Sequence, residues 1–159
     1  MNRLSRGLRA AGGRVAWVVP AADTAADEQF LGPDVANAYR ASGGAGPVRD
    51  RIWPGLCTED ADLYAEKTAP SAFFPGRSDL DDRLRSRGVD TVLIAGTVAN
   101  VCCESSARDA STLGYRVVMV ADANAANTDD ELDAALHTIY RSFGDVRSTS
   151  EVLAAIEQG

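Results

Sequence analysis

Short apolar segments rich in valine alternate with helical segments along most of this 159-residue sequence, and this alternation restricts the fold more than any other feature. Strands that alternate with helices normally form a parallel sheet covered by helices on both faces. The predicted strands at 14–19, 91–95 and 116–121 are mostly apolar, which is typical of strands that are buried on both faces. The sequence therefore predicts one domain over residues 1–159, a three-layer α/β/α fold with a mostly parallel, Rossmann-like sheet.

The individual elements are predicted from apolar periodicity and from the residues at their ends. Glycines at 12, 88 and 114 are expected to end helices, and two capping boxes, at 128–131 and 148–151, are expected to begin them. The stretch 21–62 is predicted to be loop-rich, with a short helix that starts near residue 32. Strands are predicted at 14–19, 62–66, 91–95 and 116–121, and the other helices at 2–11, 79–87 and 101–113.

The charge balance limits the partners of the protein. Sixteen lysines and arginines against 23 aspartates and glutamates give a net charge of −7, which argues against non-specific binding to nucleic acid or to anionic lipid. No apolar run approaches the roughly 20 residues that a membrane-spanning helix needs, and the first residues do not resemble a signal peptide. We therefore expect a cytoplasmic protein without nucleic-acid or membrane partners.

Three cysteines and a single histidine restrict the chemistry. An odd number of cysteines, two of them adjacent, is not typical of a disulfide framework, so reduced thiols are expected at Cys57, Cys102 and Cys103. His137 alone leaves one candidate at most for a histidine-rich zinc site, a serine triad or a cysteine–histidine pair. The sequence therefore favours chemistry carried by cysteine, lysine and carboxylate groups.

Cys102 lies where the predicted strand 91–95 leads into a helix, and functional groups of parallel sheets gather at such carboxyl ends. The free N–H groups and the dipole at a helix start favour a thiolate and can stabilise an oxyanion. A small buried cysteine explains the position equally well, so position alone leaves both interpretations open. Lys67 ends its own strand at the same edge, which would bring an ammonium group near the thiol.

The neighbouring residues favour structural roles. Cys103, Ala107 and Ala110 recur at helical spacing and predict a small-residue face that packs on the sheet. Glu104 and Arg108 have the spacing and orientation of a helical surface ion pair. Cys57 follows an irregular loop in which the sequence indicates no activating group.

Three segments carry a resemblance to a known family: KTAPSAFFPG at 67–76, the stretch 96–109, and 115–122. Together they resemble the isochorismatase-like cysteine hydrolase superfamily, and NVCCESSARDA at 100–110 is most similar to its amidohydrolase branch, which acts on ureidoacrylate, biuret, N-carbamoylsarcosine and nicotinamide. The resemblance implies that Cys102 is the nucleophile, that Lys67 is the catalytic lysine, and that an acyl-enzyme forms. It implies no cofactor.

The resemblance also implies details of the loop before the cysteine. A cis peptide bond is expected between Thr97 and Val98, with the backbone amides of Val98 and Cys102 as the oxyanion hole. The set of Asp and His residues that binds metal in the nicotinamidase branch has no counterpart in this sequence, so no metal is expected.

The resemblance implies one further catalytic residue, an aspartate at the end of a first, central strand. That strand would precede the helix at 2–11, so the sequence is expected to be truncated at its N-terminus relative to the family and to lack the strand between those at 14–19 and 91–95. Three explanations stay open: the sequence is a fragment, another chain donates the strand, or the sheet closes over the gap. Asp23 is a weaker candidate for the missing base.

Two functions follow as hypotheses. The first is a cysteine-dependent hydrolase of C–N bonds in a small amide or carbamoyl substrate. The alternative is a catalytically impaired member of the family that acts as an interaction or assembly subunit. Unpaired strand edges and the habit of the family both predict a homodimer or a higher homo-oligomer.

Overall fold

The computed structural model describes residues 1–21, 37, 44 and 46–158 of the chain. Asp23 and the helix predicted near residue 32 lie outside the described residues. The elements are α1 (Asn2–Ala10), β1 (Ala16–Pro20), a 3-10 helix (Val48–Arg51), β2 (Leu63–Lys67), α2 (Leu80–Arg85), β3 (Thr91–Thr97), a π-helical turn (Ala99–Cys103), α3 (Glu104–Thr112), β4 (Arg116–Ala125), α4 (Asp129–Ser142), β5 (Asp145–Arg147) and α5 (Thr149–Glu157).

All strand pairs of the described chain are parallel, which confirms the predicted α/β class. The strands pair in two groups instead of the single predicted sheet: β1 with β2, and β3, β4 and β5 in that order. In the part of the chain that the structure describes, β1 and β3 each have a hydrogen-bonded neighbour on one side only. The expectation that a further strand belongs between β1 and β3 stays a prediction.

Strand β4 shows why the fold has three layers. Its side chains alternate between two hydrophobic clusters, with Val117 and Met119 on one face and Val118 and Val120 on the other. Helices α2, α3 and α4 cover the first face, and α1 and α5 cover the second. Met119 and Val120 are fully buried, and burial of each such side chain contributes about 1.5–3 kcal/mol of transfer free energy.

The predicted helix ends are mostly confirmed. The capping box at Ser148 is complete, since its hydroxyl accepts from the N–H of Glu151 and the Glu151 carboxylate accepts from the N–H of Ser148. At Thr128 only half of the predicted box forms, because the Glu131 carboxylate accepts instead from the N–H of Asn127, at 3.1 Å. The glycines at 12, 88 and 114 have the positive φ angles predicted for helix ends.

Several strands extend further than predicted, and the extensions lead to the candidate site. Strand β3 continues through Gly96 and Thr97, which pair with the end of β4 after an irregularity in the register. Strand β2 ends on Lys67 itself. The three-residue strand β5 was not predicted, because so short a segment shows no measurable periodicity. No helix in the described ranges combines the length and the apolar character that crossing a membrane requires.

Candidate active site

The candidate site is built where β2 and β3 end. Lys67 is the last residue of β2, and Thr97 is the last residue of β3. Cys102 lies in the π-helical turn that follows β3 and leads into α3. The described fold therefore positions both predicted catalytic residues at carboxyl ends of parallel strands, where the functional groups of such sheets collect.

Two N–H groups of the turn that carries Cys102 donate hydrogen bonds to one carbonyl oxygen. The Thr97–Val98 peptide bond, for which the family resemblance implies a cis geometry, is cis. The carbonyl oxygen of Val98 then accepts from the N–H groups of Val101, at 3.1 Å, and Cys103, at 3.3 Å. Gly96 has a φ of +145°, a conformation that side chains rarely adopt. These contacts fix the backbone on both sides of Cys102.

The two adjacent thiols have different environments. Cys102 is half-buried, whereas Cys103 is buried with Ala107 and Ala110, which confirms the predicted small-residue face. Burial, together with the neighbouring Cys102, raises the pKa of Cys103 to about 12, while the positive charge of Lys67 opposes this shift. Cys103 is therefore a protonated, unreactive thiol at neutral pH, and it lies within the electrostatic reach of both Lys67 and Cys102.

Lys67 is a buried cation with an incomplete set of partners. Its side chain is only 5% exposed, and its Nζ donates a hydrogen bond to the carbonyl oxygen of Pro70. Among the described residues Lys67 forms no ion pair with a carboxylate. A buried charge is costly unless it is paired, so negative charge that develops beside this ammonium group is stabilised strongly.

Comparison with known proteins relates this chain and its fold to a protein family. Residues 1–151 match the family model described as the isochorismatase domain. The chain belongs to the isochorismatase family. Among solved structures, a cysteine hydrolase from Pseudomonas syringae pv. phaseolicola superposes with a TM-score of 0.83 at 30% identity, over 98% of this chain and 78% of that one.

This chain matches a smaller share of the length of two curated relatives. The uncharacterized isochorismatase family protein YwoC of Bacillus subtilis is 36% identical over 104 residues, which are 65% of this chain and 54% of that protein. The ureidoacrylate amidohydrolase RutB of Rhizobium rhizogenes is 34% identical over 104 residues, or 65% of this chain and 42% of that protein. This isochorismatase-family chain therefore spans about half the length of the curated relatives that it matches.

One residue of the site was missed by sequence reasoning. The buried hydroxyl of Ser106 donates to the carbonyl oxygen of Cys102, at 2.7 Å, and accepts from the N–H of Ala72, at 3.0 Å. The four-residue spacing between Cys102 and Ser106 is the signal that was available, because serine in a helix often bonds to the carbonyl one turn earlier. The contact with Ala72 spans 34 residues and has no signal in the sequence.

The remaining predictions for the isochorismatase-family site have mixed outcomes. Glu104 and Arg108 form the predicted ion pair, at 2.7 Å. The environment predicted for Cys57 was wrong, because Arg6 Nη1 lies 3.6 Å from its sulfur. Within the described residues, no three His, Cys, Asp or Glu side chains come together as a metal site. The roles of the Val98 and Cys102 amides as oxyanion donors stay predictions.

Proposed function

We propose that this isochorismatase-family protein hydrolyses a C–N bond in a small amide or carbamoyl substrate, with Cys102 as the nucleophile. The observation that carries the proposal is the buried Lys67 ammonium group, which lacks a carboxylate partner among the described residues and whose charge reaches the thiol adjacent to Cys102. The similarity to a ureidoacrylate amidohydrolase supports a C–N bond as the one that breaks.

The reaction proceeds in two stages. The sulfur of Cys102 attacks the carbonyl carbon, forming a C–S bond and a tetrahedral oxyanion. The oxyanion collapses, the C–N bond breaks, and the nitrogen leaves as ammonia or an amine with the proton that the thiol has given up. Water then attacks the thioester, which releases the acid and returns the proton to the sulfur of Cys102.

The chain supplies two kinds of stabilisation for this reaction. The Lys67 ammonium group stabilises the negative charge that develops during the attack. The backbone N–H groups of Val98 and Cys102 donate to the oxyanion, and their positions are preorganised by the hydrogen bonds that the Val98 carbonyl receives. Each such donor typically contributes about 10²–10³-fold in rate.

Ammonia release from a panel of small primary amides and carbamoyl compounds tests the proposal. We expect Cys102→Ala to abolish release, while the matched variant Cys103→Ala retains most of it, because Cys102 is half-buried whereas Cys103 is buried. Equal losses in the two variants would refute the assignment of the nucleophile.

A second candidate function is that of a catalytically impaired assembly subunit, and the pairing of β1 and β3 on one side only, within the described part of the chain, favours it. Unpaired strand edges are sites at which chains associate, so we also propose a homodimer or larger assembly, which light scattering after size-exclusion chromatography tests.

Alkylation by iodoacetamide at neutral pH separates the two functions. An active enzyme labels at Cys102 faster than at Cys57 or Cys103, whereas equally slow labelling of all three thiols favours the assembly subunit.

A further inference from the structure

The hydroxyl of Ser106 joins two segments that are distant in the sequence. It lies on α3, 6% exposed, and its single proton is donated to the carbonyl oxygen of Cys102 at 2.7 Å. Its oxygen accepts the N–H of Ala72 at 3.0 Å. A serine hydroxyl has one donor and two acceptor sites, so the donor is fully used between the nucleophile turn and the segment that follows β2.

The segment that Ala72 belongs to is also the segment that holds Lys67. The carbonyl of Pro70 accepts the hydrogen bond from Lys67 Nζ. The hydroxyl of Ser71 accepts from the N–H of Phe73 at 3.0 Å, which stiffens the backbone between these contacts. Phe73 in turn packs edge-to-face on Tyr115, with ring centroids 5.4 Å apart. The loop that holds the lysine is therefore fixed to the body of the protein, and Ser106 is its hydrogen-bonded link to Cys102.

We infer that Ser106 is a positioning residue that keeps the sulfur of Cys102 in register with the Lys67 ammonium group. The inference rests on the proposed function, because it assigns Ser106 a part in the same reaction. A helical serine that only bonds back to the preceding turn needs no second partner. The bond from Ala72 is the feature that distinguishes a link between two catalytic segments from ordinary back-bonding within a helix.

The expected effect is one of geometry in the transition state. Alanine at position 106 leaves the N–H of Ala72 without its buried partner and lets the two segments shift relative to each other. A displacement of about 1 Å between reacting groups lowers rates by up to about 10²-fold. Substrate affinity depends on the whole pocket, so we expect kcat to fall and KM to change little.

The experiment compares Ser106→Ala with Ser106→Thr, which retains the hydroxyl, and with Ser111→Ala as a matched control later on the same helix. We expect Ser106→Ala to lower kcat by about 10–100-fold with KM within about threefold, while Ser106→Thr and Ser111→Ala keep kcat within about threefold. Retention of kcat in Ser106→Ala overturns the inference, and so does an equal loss in Ser111→Ala.

Two further measurements separate this inference from the proposed function and from a simple loss of folding. If the unaltered protein releases no ammonia from any substrate, the proposed function fails, and the alkylation rate of Cys102 then tests the link: slower labelling in Ser106→Ala, restored in Ser106→Thr, supports it, and equal labelling overturns it. If Ser106→Ala does not fold, Ser106→Val and Ser106→Thr have the same shape and differ in the hydroxyl alone. A lower kcat for the valine variant supports the link, and equal values overturn it.

Discussion

Strand β2 has a buried charge at each end, and the two ends differ in how that charge is paired. Asp62 immediately precedes the strand and is 8% exposed, while Lys67 is its last residue and is 5% exposed. Asp62 accepts hydrogen bonds from Arg9, Trp17 and Glu59, whereas within the described residues Lys67 donates to one backbone carbonyl. The comparison separates a charge that stabilises the fold from the charge to which we have proposed a catalytic role.

Asp62 is a structural anchor, by which we mean a buried charge whose hydrogen bonds hold several elements together. Its carboxylate accepts from Arg9 Nε at 2.9 Å and Nη2 at 2.6 Å, from Trp17 Nε1 at 2.7 Å and from the N–H of Glu59 at 2.9 Å. Burial disfavours the ionised form, but the hydrogen bonds from Arg9, Trp17 and Glu59 outweigh it, so the pKa of Asp62 lies below its usual value. Helix α1, β1 and β2 are thereby tied together at one point.

The Lys67 end has no such countercharge in the described part of the chain. An unpaired buried charge reduces stability, and such groups are concentrated at functional sites because they stabilise charge that appears only during a reaction. The difference teaches that burial alone does not separate a structural ion from a candidate functional one, and that its pairing has to be compared as well.

The largest effect is expected from Lys67→Met, which removes the buried charge at the end of β2 to which we have proposed a catalytic role. We expect the rate of amide hydrolysis to fall about 10³-fold, because in the proposed reaction the oxyanion loses a stabilising cation. The free energy of unfolding, measured in urea, should stay the same or rise, since a buried charge without a carboxylate partner among the described residues is removed. A clear loss of stability with little loss of activity would reverse the roles that we assign to the two ends of β2.

Asp62→Asn tests the structural half. We expect it to lower the free energy of unfolding by about 3 kcal/mol, because the buried guanidinium group of Arg9 loses its principal partner. The rate of hydrolysis by the folded protein should stay within about threefold. Asp60→Asn is the matched control, since Asp60 pairs with Arg49 at the surface and is 89% exposed; its urea midpoint should not change. If Asp62→Asn and Asp60→Asn lower the free energy of unfolding equally, Asp62 is not the structural anchor that we describe.

A smaller effect is expected from acid. Because the pKa of Asp62 is lowered in the folded protein, the unfolded chain binds this proton first as the pH falls through about 4. The stability that the anchor contributes is present above that pH and is lost progressively below it. Urea midpoints measured between pH 3 and pH 7 should fall on the acid side, and Asp62→Asn should reduce that slope. An unchanged slope in the variant shows that other carboxylates cause the acid sensitivity.

The smallest effect is expected at Cys103, and it tests which of the two adjacent thiols near Lys67 is the reactive one. Since the pKa of Cys103 is raised to about 12, its thiol stays protonated between pH 7 and pH 9, and we expect it to react with iodoacetamide at least about tenfold more slowly than Cys102. Mass spectrometry of peptides from the briefly labelled native protein measures both rates. Faster labelling of Cys103 than of Cys102 would exchange the roles of the two thiols.

Much of the fold was predictable because its signals are local. Short strand-like runs indicated four of the five described strands, and the serine at 148 with the glutamate at 151 indicated the start of α5. The packing of Cys103 with Ala107 and Ala110 followed from helical spacing alone. Strand β5 was missed for the same reason, since three residues are too few to show a period.

The site was only partly predictable. The positions of Lys67 and Cys102 at strand and helix ends can be read from the order of elements along the chain. The link from Ser106 to Ala72 cannot, because it depends on where atoms from two segments 34 residues apart come to rest.

By itself the sequence determined the alternation of strands and helices and the ends of most helices, because each depends on neighbours within a turn or two of the chain. Only the tertiary structure decided that, among the described residues, the buried charge before β2 is paired with a countercharge and the one at its end is not. Arg9 reaches Asp62 across 53 positions and Trp17 across 45, and contacts between such distant residues are set by packing, which leaves no periodic pattern in the sequence.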